Sequence, residues 1–201
     1  MRTTRRALLI MGLVFARDAL ARDAETLTFT IHVSNYAGID DRTLLEAKKV
    51  AAGIFRKAGV EVEWADPADQ GWLVPSHIQL RLLPSLMCDR LSLPDNAMGV
   101  APGRGPDRRF VYVCYNRVEA LALKHVEYTY ADTAKLLGHA MAHEIGHVLN
   151  IESHSATGIM RADWGLKDLQ DAGYGDLLFT PPQSEVLRAE VGRRLRERPS
   201  K

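Results

Sequence analysis

The sequence predicts a single mixed α/β domain, with α+β character in the order of its elements. Short apolar–polar alternations typical of strands fill the first half, and two long segments repeat apolar residues at helical spacing. The chain has 201 residues, of which 25% are charged, as is typical of one globular domain. We therefore expect a twisted sheet of four or five strands, two long helices, a loop-rich C-terminal part and a closing helix.

The domain is predicted to begin with a strand followed by a helix. Residues 26–33 alternate apolar and polar side chains, the period of a half-buried strand. Asp40 or Asp41 can cap the helix that follows, and Gly59 is placed to end it. A helix after a first strand can be the crossover to a parallel neighbour.

Four further segments favour strands because of their β-branched and aromatic residues or their alternation. They are residues 60–64, 78–82, 98–101 and 110–115. Residues 85–96 are predicted to be irregular, and residues 117–123 to form one or two helical turns.

The second long helix is predicted to run from its cap, Asp132, to about Leu149. Residues 151–179 contain several glycines and are predicted to be rich in loops. Thr180-Pro181-Pro182-Gln183 has the pattern of a capping box with proline at the first helical position, which predicts a closing helix.

The N-terminal segment has the features of a secretory signal. Arg2, Arg5 and Arg6 precede an apolar run of ten residues, and Ala19-Leu20-Ala21 has the small-x-small pattern of a cleavage site. We expect residues 1–21 to be a signal peptide and residues 22–201 to be one domain, periplasmic or secreted. The apolar run is too short for an anchor. The alternative is an N-terminal segment that stays attached.

Charge and cysteine content narrow the possible partners. Without residues 1–21 the chain has 22 basic and 24 acidic side chains, and no basic stripe suggests nucleic-acid or lipid binding. Arg104, Arg108 and Arg109 are predicted to lie in a solvated loop.

Cys88 and Cys114 favour one disulfide in an oxidising compartment, with two buried thiols or a thiol near a metal as alternatives. We expect a monomer.

The stretch His143-Glu144-Ile145-Gly146-His147 lies in the second predicted long helix. Residues four apart share one helix face, so the two imidazoles can reach one zinc ion. Glu144 is rotated by about 100° from His143, so its carboxylate flanks the ion and can take a proton from metal-bound water. His154 follows after a predicted turn as the third ligand.

A longer motif surrounds these residues. In order, it reads His143-Glu144-x-x-His147-x-x-Asn150-x-x-x-His154 and then Gly158-Ile159-Met160. This motif resembles the metzincin clan of zinc peptidases and is similar to matrixin-like exported bacterial proteins. The resemblance covers residues 143–160 in motif and 26–160 in the order of elements.

The resemblance implies a metzincin-like fold, a Zn²⁺ ion on His143, His147 and His154, and a peptide or protein substrate. It also implies that Met160 forms a packed floor beneath the metal. Residues 110–115 would be the edge strand along the cleft, with which an extended peptide can pair.

Two positions depart from the clan's pattern. Asn150 replaces the usual turn glycine, and asparagine is the next most tolerant residue of a left-handed backbone. The third histidine falls one residue late, with Ser153 at the expected position, so we expect one extra residue in the turn. Carboxylates can replace a histidine ligand, and the alternative third ligands are Asp163, Asp168 and Asp171.

The predicted function is zinc-dependent hydrolysis of peptide bonds, with Glu144 as the general base. The alternatives are a zinc hydrolase of a non-protein amide, such as cell-wall material, and a non-enzymic zinc-stabilised binding protein. His139 is predicted to be partly exposed and idle, or else to support the ligands by a hydrogen bond. Tyr174 is a loose candidate for stabilising an oxyanion, and Trp164 is predicted to belong to the core.

Overall fold

The fold is taken from a computed structural model of the chain. The structure describes residues 26–66, 68–69, 74–103, 105, 108–125, 127 and 129–197. The predicted signal peptide, residues 1–21, lies outside the described residues. Among the helices described, none has both the length and the apolar character needed to cross a bilayer.

A five-stranded sheet forms the centre of the molecule. Its strands are β1 (Thr28–Asn35), β2 (Glu61–Ala65), β3 (His77–Leu83), β4 (Gly99–Val100) and β5 (Phe110–Cys114). Their order across the sheet is β2-β1-β3-β5-β4. Strands β2, β1, β3 and β5 are parallel to their neighbours in this order, and β4 runs antiparallel to β5. The predicted mixed α/β fold with a sheet of four or five strands is confirmed, as is the crossover from β1 to a parallel neighbour.

The sheet edge differs from the prediction. Strand β5 pairs with β3 on one side and with β4 on the other, so residues 110–115 are not the edge strand. The two-residue strand β4 takes that place, and the Cys114 N–H extends the pairing by donating to the Met98 carbonyl at 2.8 Å. A bridge this short depends on tertiary pairing and has too few residues to show a periodicity.

Two long helices, α1 (Asp41–Lys57) and α4 (Thr133–Val148), pack against each other over the sheet. Both begin as predicted, because the Asp40 and Asp132 carboxylates accept hydrogen bonds from the first-turn N–H groups. Gly138 permits the close contact: a Cβ there would lie 2.6 Å from the Val50 Cβ and 2.7 Å from the Ala47 carbonyl oxygen.

Four other helices complete the fold: α2 (Ser85–Asp89), α3 (Tyr115–His125), α5 (Leu166–Tyr174) and α6 (Pro181–Arg196). Helix α6 starts as predicted, with the Gln183 side-chain oxygen accepting the Thr180 N–H at 2.9 Å. Helices α2 and α5 lie in regions predicted to be irregular or loop-rich. Helix α5 forms where the Asp168 carboxylate accepts the Gly165 N–H at 2.8 Å, a reach-back contact that offsets the poor start at glycine.

The core and the disulfide fix the parts around the sheet. One continuous apolar cluster includes side chains from β1, β3, β5, α1, α4 and the segment before α6. Phe55 of α1 makes ring contacts with Phe29 of β1 and with Phe179, which joins the C-terminal part to the sheet. Cys88 and Cys114 form a disulfide, which confirms the predicted pair and excludes both alternatives with free thiols. It ties α2 to the end of β5.

Candidate metal centre

His143 and His147 of α4 are each held through one ring nitrogen. The Nδ1 of His143 lies 2.8 Å from the Ile159 carbonyl oxygen, and the Nδ1 of His147 lies 2.7 Å from the Ile151 carbonyl oxygen. Because a carbonyl only accepts, each Nδ1 carries the hydrogen and each Nε2 keeps its lone pair. This tautomer leaves Nε2 of both rings available to a metal.

The end of α4 turns through Asn150. Its φ of 73° is in the left-handed region, as predicted from the residue type. The Ile151 N–H then donates to the Gly146 carbonyl at 3.0 Å, which closes the helix end. The turn places the Ile151 carbonyl under His147 and sends the chain back toward the two histidines.

His154 returns to the two helical histidines despite the additional residue in the turn. Its ring centroid lies 5.3 Å from that of His143 and 5.0 Å from that of His147, while those two are 5.0 Å apart. One ligand nitrogen from each ring lies within 4.8 Å of the others. The three imidazoles therefore form a group that can hold a metal ion, with His143 buried and His154 exposed.

The carboxylates that were alternative third ligands are engaged elsewhere. Asp168 pairs with Arg161, whose Nη1 lies 2.8 Å from its carboxylate. Asp163 accepts a hydrogen bond from Asn96, and Asp171 pairs with Lys167. None of the three belongs to the group of possible metal ligands that the described residues form, because each carboxylate is engaged by another side chain.

Burial keeps the helical histidines neutral. Desolvation lowers the pKa of His143 to about 4, although the hydrogen bond to Ile159 opposes it. Desolvation is also the main cause that lowers the pKa of His147, and the charges of His154 and Arg108 add to the effect. Because a metal binds the deprotonated ring, both side chains are ready to ligate at neutral pH.

Glu144 projects into the same cleft from the neighbouring position of α4. It is 7% exposed, and desolvation raises its pKa to about 8, an effect that a nearby divalent cation opposes by stabilising the carboxylate. Gly99 of β4 lies directly against it, since a Cβ on Gly99 would be 2.8 Å from the Glu144 Cγ. The carboxylate thus lies between the edge strand and the histidines.

The cleft around these groups has a volume of about 460 Å³. One wall is residues 98–101, which include the edge strand β4, and the floor is α4. Three charged side chains complete the lining: Arg108, Glu152 and Arg161. Arg108 and Arg109 lie in a loop as predicted, but both are half-buried, and Arg108 lines the cleft. Only the tertiary fold reveals this, because residues 103–109 have the composition of a loop. Arg104 lies outside the described residues.

Met160 and Trp164 pack near the candidate ligands. Met160 is fully buried, and its Sδ lies 2.9 Å from where a Cβ on Gly146 would be, so it packs against α4 at Gly146. The Trp164 Nε1–H donates to the Ile159 carbonyl at 3.1 Å, the same oxygen that His143 uses. Trp164 packs against the core as predicted. Its hydrogen bond beside His143 had no signal in the sequence.

His139 and Tyr174 do not take the predicted places. His139 is 1% exposed, so the prediction of partial exposure is wrong; its Nδ1–H donates to the Lys135 carbonyl at 2.8 Å. The reason is that α4 is buried on nearly all sides by the sheet, α1 and the C-terminal segment. Tyr174 is 65% exposed and its ring contacts that of Tyr130. It is not among the residues that line the cleft.

Neither protein-family models nor curated proteins gave a match to the chain.

Proposed function

We propose that the protein is a metzincin-like zinc peptidase that hydrolyses peptide bonds in peptide or protein substrates. The observation that carries the proposal is the convergence of three imidazoles beside the carboxylate of Glu144 in one cleft. Three nitrogen ligands are typical of catalytic zinc sites, in which the remaining position is left for water or substrate. The exposure of His154 leaves the site open to the cleft.

The residues of the chain divide the chemistry among them. His143, His147 and His154 would hold the Zn²⁺, which polarises the scissile carbonyl and lowers the pKa of water. Glu144 takes the proton from the attacking water and passes it to the leaving amine. A carboxylate is not needed beside a purely structural metal, so Glu144 favours an enzyme over a zinc-stabilised binding protein.

The edge strand offers a binding surface for an extended peptide. Among the described residues, Gly99 and Val100 of β4 pair with β5 on one side only, and they line the cleft with Glu144. A substrate strand added to the free edge would place its backbone along the histidines. Backbone pairing favours a peptide over a cell-wall amide as the substrate.

The test combines metal analysis with two variants. The purified protein should contain one equivalent of zinc. His154→Ala should lose most of the zinc, whereas Glu144→Gln should keep the zinc and lose hydrolysis of casein by about 10²-fold or more. His125→Ala, a histidine at the end of α3 outside the cleft, is the matched control and should match the wild type.

Zinc-free wild-type protein, or full casein hydrolysis by Glu144→Gln, would contradict the proposal. Cleavage of isolated cell-wall fragments with no cleavage of casein would support the alternative zinc hydrolase of a non-protein amide.

A further inference from the structure

Arg108 is a charged side chain of the cleft wall for which the described residues provide neither a hydrogen bond nor an ion pair. It lines the cavity that also contains Glu144 and the three histidines. Its Nε is buried without a hydrogen-bond partner, and none of the ion pairs found within the described residues includes it. A buried N–H that lacks an acceptor is unfavourable, and no acceptor among the described residues holds this guanidinium in place.

The other arginine of the cleft shows the contrast. Arg161 Nη1 lies 2.8 Å from the Asp168 carboxylate, which neutralises its charge. Glu152 also lines the cleft, yet no ion pair joins it to Arg108 in the described part of the chain. Arg108 therefore lines the cleft with a positive charge that no carboxylate of the described residues neutralises by pairing.

We propose that Arg108 binds a carboxylate of the substrate, so that the cleft selects peptides with an acidic residue near the scissile bond. A guanidinium has a planar set of donors that match two carboxylate oxygens, and such pairs are stronger than neutral hydrogen bonds. The inference rests on the proposed peptidase function. The same chemistry can come from an acidic side chain or from the C-terminal carboxylate of a short peptide.

The experiment uses synthetic peptide pairs around the bonds that the wild-type protein cleaves in a peptide library. One pair differs only in Glu against Gln beside the scissile bond, and a second pair differs in a free against an amidated C terminus. The wild-type kcat/KM should be about tenfold or more higher for the carboxylate member of one pair, and the pair that responds identifies the source.

Variants assign the preference to Arg108. Arg108→Gln should bring the ratio of the two kcat/KM values close to one, and Arg108→Lys should retain part of it. Arg109→Gln removes the same charge from the neighbouring position, outside the cleft lining, and should keep the wild-type ratio. Zinc content should be unchanged in all three variants.

Two results would overturn the inference: a wild-type ratio near one for both pairs, or an equal loss for both peptides in Arg108→Gln. If the wild type hydrolyses no peptide, the proposed function fails by itself. Calorimetric binding then still tests Arg108 with peptides of fixed sequence that differ only in Glu against Gln, or in a free against an amidated C terminus. A carboxylate preference in Kd that Arg108→Gln abolishes would support the inference, and its absence would overturn it.

Discussion

At the scale of single residues, Gly99 couples the edge strand to the candidate general base. A Cβ at this position would lie 2.4 Å from the Tyr112 carbonyl oxygen and 2.8 Å from the Glu144 Cγ. Both distances are far below van der Waals contact, so any larger residue must displace the strand, the carboxylate or both. The small size of Gly99 thus sets where Glu144 can stand.

We predict that Gly99→Ala lowers casein hydrolysis by about 10–100-fold while the protein keeps its zinc, because Glu144 moves out of position. Gly53→Ala in α1 is the control, since a Cβ there meets nothing within 4 Å and should leave activity unchanged. Rates and metal content are measured on the same preparations. Wild-type hydrolysis by Gly99→Ala would show that Glu144 does not need this close contact.

The sequence could predict those parts of the site whose relative positions are set by one helix and the turn that follows it. His143, Glu144 and His147 are fixed relative to one another by one helix, and the αL tolerance of asparagine identified the turn at Asn150. Gly99 and Arg108 could not be predicted, because their roles depend on which distant segments fold against α4. Their local sequences are typical of an ordinary loop or short strand.

At the scale of elements, α6 holds the C-terminal end of α4. Arg194 of α6 donates from Nη2 to the Val148 carbonyl at 2.6 Å and from Nε to Glu190 at 2.7 Å. Arg194 is 2% exposed and Glu190 is 5% exposed. The last carbonyls of a helix have no partner within it, so Arg194 satisfies one of them beside His147.

We predict that Arg194→Met lowers the free energy of unfolding by about 2–4 kcal/mol, because it leaves a helix-end carbonyl unsatisfied and removes one of the two arginines that pair with the buried Glu190. Arg196→Met, at the exposed end of the same helix, should change it by less than about 1 kcal/mol. Urea denaturation with equal zinc in all samples measures both. A change below about 1 kcal/mol in Arg194→Met would contradict this role for Arg194.

The sequence predicted the type of an element correctly where the element is long and its capping residues are adjacent to it in sequence. Asp40 and Asp132 cap the two long helices as predicted, and the capping pattern at Thr180 starts α6. The strand predicted at residues 98–101 is present as the two-residue β4. Helix α2 is five residues long, and α5 follows a glycine N-cap. The types of these two helices were not predicted, because tertiary contacts outweigh propensity in short elements.

At the scale of the whole molecule, the cleft lies between two parts that pack on one core. One side is α4 with residues 152–162, and the other is the segment that leads into β4. The mixed fold was predictable, but the order β2-β1-β3-β5-β4 was not, because it depends on pairings between strands far apart in sequence. The same pairings decide that β4, rather than β5, faces the cleft.

The disulfide fixes the wall of the cleft opposite the three histidines. Cys88 in α2 and Cys114 at the end of β5 are fully buried with Leu83, and they are 26 positions apart. The loop they close contains Pro94 and Asn96, which line the cleft. In the chain-entropy description, a cross-link of this length stabilises the folded state by roughly 3–4 kcal/mol.

We predict that the Cys88→Ala/Cys114→Ala variant loses roughly 3–4 kcal/mol of unfolding free energy and raises the KM for peptides more than it weakens zinc binding. The ligands lie on α4 and the turn after it, away from the loosened wall, so zinc affinity should change little. Urea denaturation, peptide kinetics and zinc competition measure the three effects. A reducing agent should shift the wild type toward the variant and leave the variant unchanged. If the wild type and the variant had the same urea midpoint in non-reducing buffer, the disulfide would not stabilise the fold. If the variant lost zinc affinity and peptide affinity equally, the disulfide would not act on the peptide-binding wall alone.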